Sequence, residues 1–190
     1  MPMDNLSTLS TGKVTALISF VGGTGIMALF YLTNSDAIAI AGIGYAVVMG
    51  FINLFVLGHL VYHYFKEKVN RKKIIKTSAI MLLNIPILLG YCWFALFLFD
   101  TIRVTLRNVS NTQLNNITIS GCEDKFASEL GPGQSKTFWI HIPHGCGLSV
   151  DYYLSGQSVR DDISGYIPKG RGRIINFDIG IRHESTDANP

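Results

Sequence analysis

From Val14 to Phe65 the only formally charged side chain is Asp36, and it lies inside a turn-forming run, Thr33-Asn34-Ser35-Asp36. Two apolar segments flank that turn, residues 14–32 and 37–65, and a third runs over residues 74–99. Each meets the requirement of about 20 residues to cross a hydrocarbon core of about 30 Å, and the longer two can tilt. Three transmembrane helices are expected over these ranges. A soluble bundle would keep a polar face on each helix, and these segments offer almost none. The first segment reads as an uncleaved helix rather than a signal peptide. Lys13 is the only basic residue ahead of it, and Phe30-Tyr31-Leu32 closes it with bulk where cleavage needs small side chains.

Orientation follows from the loops. Lys66, Lys68, Arg71, Lys72, Lys73 and Lys76 crowd the second connection against a single acid, Glu67, whereas the first connection has no Lys or Arg. The positive-inside rule makes the basic loop cytoplasmic, which puts the N-terminus inside, the 33–36 turn outside and the chain after Phe99 outside. The cluster also suits contact with anionic lipid, but without interleaved aromatics it does not suggest nucleic-acid binding. The net charge of +3 divides accordingly: seven basic and three acidic residues over 1–99, nine and ten over 100–190. A mean hydropathy of +0.30 with 15% charged residues is unusual for a soluble enzyme.

Thr15, Ser19 and Gly23 on the first span, and Gly42, Ala46 and Gly50 on the second, recur every four residues and are expected to pack those helices together. The same strips could serve a homo-oligomer. Asn53 and Asn84, the deepest polar residues, are expected to hydrogen-bond between helices rather than line a path, and Pro86 to kink the third helix. His59 and His63, beside Tyr62, Tyr64 and Phe65, read as an interfacial belt rather than as haem ligands.

After Asp100 the period becomes two. Ile102, Val104 and Leu106 mark one strand; Ile117 and Ile119 a second; Phe138, Ile140 and Ile142 a third; Val150, Tyr152 and Leu154 a fourth. A weaker fifth centres on residues 163–167, and a sixth carries Ile175, Phe177, Ile179 and Ile181. Turn residues at 108–111, 131–133, 143–147, 155–157 and 169–172 separate them. The expectation is an all-β domain over residues 100–182, a small antiparallel β-sandwich of immunoglobulin-like type, with a flexible tail at 183–190. Cys122 and Cys146, flanking the second and fourth strands, are expected to form a disulfide in the exported half, worth roughly 3 kcal/mol for a loop of about 25 residues. Cys92 reads as a packing residue.

Catalysis has no visible constellation. The 131–137 run lacks the glycine that a phosphate loop places before its lysine, and Asp161 and Asp162 would point to opposite faces of a strand. His141, His144 and Cys146 sit in an ordinary Pro/Gly turn; no metal and no cofactor is expected. Asn108 and Asn116 begin glycosylation sequons. The remaining signal is a surface: the alternation places Trp139, His141, Tyr153 and Tyr166 away from the core, where exposed aromatics suit a protein partner. These readings describe a non-enzymatic protein of a bacterial inner membrane, with membrane lipids and a protein partner as its contacts. It would serve as an accessory subunit of an envelope complex or as an immunity-type protein. An oligomeric channel or membrane-disrupting effector is the alternative.

Overall fold

The structure is a computed structural model describing residues 3–66 and 71–181, with side chains from Ser10 onward. Lys68 and the 183–190 tail lie outside the described residues. Three helices come first: α1 (Met3–Thr33), α2 (Asp36–Lys66) and α3 (Arg71–Phe99). All three are long and apolar enough to cross a membrane. They overrun the expected spans because hydropathy marks only their apolar stretch, while nothing in the polar flanks stops a helix. Residues 3–13, for example, contain no proline.

Between α1 and α2 stand only Asn34 and Ser35. Asn34 adopts φ 49°, the left-handed cap that asparagine tolerates, and donates its N–H to the Phe30 carbonyl at 2.7 Å. Ser35 then accepts from the N–H groups of Ile38 and Ala39 at 3.1 Å, opening α2. The third helix runs unbroken through Pro86. The helices bury few large side chains and expose many: Phe51, Phe55 and Trp93 are each 70–78% exposed.

By its contacts the chain divides after Ala95, so the last turn of α3, residues 96–99, groups with the strands. Among the described residues seven strands follow: β1 (Thr101–Asn108), β2 (Leu114–Ser120), β3 (Lys125–Leu130), β4 (Ser135–His141), β5 (Cys146–Leu154), β6 (Gln157–Ile167) and β7 (Ile174–Ile179). They form two sheets, ordered β4-β1-β7 and β3-β2-β5-β6. Ile102, Val104, Leu106 and Ile140 from the first sheet share one apolar core with Ile117, Ile119, Val150 and Tyr152 from the second.

This order does not confirm the immunoglobulin-like expectation. A constant-type immunoglobulin domain would group the strands as 1-2-5-4 and 3-6-7. Here β2 still pairs with β5, but β3 and β6 flank them in the same sheet, and β1 pairs parallel with β7. Tight hairpins are the cause. Ser155 and Gly156 take φ 52° and 84°, the two positive values of a type I′ turn, which folds β6 directly onto β5.

Strand β3 escaped the alternation rule because only Ala127 and Leu130 are buried, three positions apart, while Phe126 faces outward. The last strand stops at Ile179, two residues short of the expected Ile181, because Gly180 turns the chain at φ 87°.

One buried group ties the two sheets. The Tyr152 hydroxyl donates to Asp161 Oδ2 at 2.8 Å and accepts from the Gly180 N–H, just past β7, at 3.0 Å. Burial, chiefly, pushes its pKa up to about 12. Because the folded value exceeds the ordinary tyrosine value near 10, deprotonation favours the unfolded chain first. Denaturation followed by circular dichroism in detergent should therefore show stability falling as pH rises from about 10 to about 12. Tyr152→Phe should remove that pH dependence and cost about 1–3 kcal/mol, by leaving the Gly180 N–H unsatisfied.

Candidate functional site

In the helical unit, the polar side chains converge on one turn of α1. Asn53 Nδ2 on α2 donates to Ser19 Oγ at 2.6 Å and to its own helix at Met49 O, 2.7 Å. Ser19 Oγ donates to Thr15 O at 2.9 Å, and Asn84 Nδ2 on α3 reaches Ala16 O at 3.2 Å. Both asparagines thus act as interhelical ties, the use such groups usually find among apolar helices.

The small-residue strips serve two neighbours rather than one. Thr15 is buried and Gly23 lies under the Tyr91 ring of α3, whereas Gly42 meets Ile26 of α1. Ala46 is half-buried, and Gly50 is exposed with nothing within 4 Å. A strict four-residue spacing drifts by about 40° per step on a helix of 3.6 residues per turn, so the strip turns away from its partner. The spacing that stays on one face is Gly12, Ala16, Ser19, Gly23, and Gly12 is indeed packed against Thr77, Leu60 and Met81. Gly22 was also not legible from spacing. Its missing side chain makes room for Tyr45, whose hydroxyl donates to Ile18 O at 2.7 Å.

Of the basic residues at the end of α2 and the start of α3, all exposed, Lys66 lies over the Tyr62 ring at 5.5 Å and Arg71 over Tyr64 at 5.1 Å, and Lys72, Lys73 and Lys76 follow. His59 and His63 meet edge to face at 4.6 Å.

In the strand unit, the four surface residues do not form one patch. Trp139 and His141 lie on β4, in the three-stranded sheet, whereas Tyr153 and Tyr166 belong to the four-stranded sheet. Trp139 is half-buried, stacked on Phe97 of the last helical turn at 5.9 Å, with the Arg103 guanidinium 5.2 Å from its ring. His141 contacts Asp100 O through Nδ1 at 3.1 Å and donates its backbone N–H to Glu123 Oε2 at 2.9 Å. That N–H, followed by Lys125, holds the Glu123 carboxyl below its ordinary pKa. Tyr166, 67% exposed, leans over Gly145.

Tyr153 shares the outer face of its sheet with Phe126, 62% exposed, which pairs with Thr118. Thr118 in turn stands beside Asp151, two positions before Tyr153. Phe126 was missed because its strand was.

Around the start of β1 the chain is tied tightly. Gly172 N donates to Phe99 O at 2.6 Å, Ile142 N to Asp100 O at 2.9 Å, and Thr101 Oγ1 to Phe97 O at 2.7 Å. Gly172 lies so close to the carbonyls of Leu98, Phe99 and Thr101 that a side chain there would collide with them. Cys122 and Cys146 are joined, with Cα atoms 5.3 Å apart, so Cys146 offers no free thiolate beside His141 and His144.

At the opposite end Asn108 is fully buried. Its amide donates to Thr112 O and Leu130 O and accepts from Ser110, so this sequon has no accessible nitrogen. Asn116 is exposed, at φ 50° beside a bulge in β2.

No family model matches the chain, and no curated protein matches it. A solved structure described as the NMR structure of a protein from Eubacterium rectale is similar over 43% of this chain and 81% of that one, at 16% identity and a TM-score of 0.34. At that score the likeness carries no argument.

Removing the disulfide by Cys122→Ser with Cys146→Ser should cost the strand unit roughly 3 kcal/mol, read as a lowered denaturation midpoint that reductant no longer changes. Gly172→Ala should destabilise the same unit with the disulfide intact, since backbone carbonyls cannot yield to its methyl group.

Proposed function

We propose that this is a non-enzymatic integral protein of a bacterial inner membrane, whose three helices anchor an exported two-sheet domain that binds a protein partner. The observation that carries the reading is a pairing. Apolar side chains cover the outside of all three helices, where a hydrocarbon solvent suits them, and a disulfide closes the strand unit, where an oxidising compartment preserves it. The basic cluster before and within the start of α3 favours the same sidedness by the positive-inside rule, independently of the cysteines.

The partner surface is best sought on the outer face of the four-stranded sheet, at Phe126 and Tyr153. Trp139 is engaged by Phe97 and Arg103, and His141 by Asp100 and Glu123, which makes both less suited to an outside partner. An accessory subunit of an envelope complex or an immunity-type protein would both use such a face.

Photocrosslinking from position 128, between the two aromatics' rows, in intact cells should trap a defined protein, and Phe126→Ala with Tyr153→Ala should abolish that adduct without lowering membrane insertion. An adduct unchanged by the double variant would place binding elsewhere.

A further inference from the structure

We propose that the turn and strand entry at 168–173 form a contact for phospholipid phosphate groups where α3 leaves the bilayer; this rests on the membrane reading above. The turn is built at the helix end. Arg171 N donates to Pro168 O at 3.3 Å, and Gly170 supplies φ 73°, the pattern of a type II turn. Two residues on, Gly172 N bonds Phe99 O, so the turn is held within one residue of the point where α3 ends.

Lys169, Arg171 and Arg173 are all exposed, and among the described residues no carboxylate pairs with any of them. On the membrane reading, three solvated cations tied by Gly172 to the end of a candidate span stand at the depth of the lipid phosphates, and basic groups near an anionic surface attract its lipids. The neighbouring row adds an interfacial aromatic. Trp139 stands across β1 from Ile174, through Arg103, and stacks on Phe97. The same cations would also offset the negative end of the α3 dipole, but that role needs no lipid and predicts no lipid preference.

Trp139 provides the readout, because Trp93 is the only other tryptophan. The full chain carrying Trp93→Phe is reconstituted into phosphatidylcholine vesicles containing a trace of headgroup spin-labelled phosphatidylglycerol or, separately, spin-labelled phosphatidylcholine. Trp139 should be quenched several-fold more by the anionic label. Adding Lys169→Gln, Arg171→Gln and Arg173→Gln should erase the preference, whereas adding Arg107→Gln and Lys136→Gln should keep it. Lipids gathered by the basic cluster near the start of α3 on the other leaflet would not reach this tryptophan.

Equal quenching by the two labels overturns the proposal, as does a preference that survives the triple variant. A triple variant that is merely less stable in detergent, with its lipid preference intact, assigns the cations to the helix dipole alone and also overturns it. If the chain fails to float with vesicles, the membrane reading itself fails, which is a distinct result.

Discussion

The governing constraint is that α1, α2 and α3 satisfy their own backbone hydrogen bonds while turning apolar side chains outward. In water such a surface would drive aggregation; in hydrocarbon it is the stable arrangement, because no lipid can hydrogen-bond an exposed amide. On the proposed reading everything else follows from that choice of solvent. Polar donors must find partners inside, as the Asn53 and Asn84 amide N–H groups do on Ser19 Oγ and the Ala16 carbonyl, and close approach requires residues without side chains, which Gly12, Gly22 and Gly23 provide.

The strand unit obeys a different rule. It is closed by specific polar ties laid over an apolar core: Tyr152 between the sheets, the disulfide between the start of β5 and the loop after β2, and Asn108 bracing the loop after β1. It also begins inside the last turn of α3, whose carbonyls accept hydrogen bonds from Gly172 and Thr101. Little chain therefore separates helix from sheet.

Much of this was legible in the residues, and the failures have physical causes. Long apolar runs and the period-two alternation located three helices and six of seven strands, because burial on one face leaves a repeat. The cysteine pair was legible from its position beside two strands. Strand β3 was not, since an edge strand with two buried residues leaves no repeat to read. Sheet order was not either: alternation says which face of a strand is buried but not which strand lies beside it, and the hairpin at Ser155-Gly156 decides that locally. Alternation says on which side a side chain leaves its strand but not whether another element covers it, as Phe97 covers Trp139.

The account stands or falls on which side of the membrane the strand unit occupies. Its most direct test is protease digestion of the full chain in right-side-out and inverted vesicles, scored by loss of an epitope at the C-terminus. The account predicts that the epitope is trimmed from right-side-out vesicles and spared in inverted ones. Trimming confined to the inverted vesicles would contradict it and would leave the strand unit, disulfide included, facing the cytoplasm.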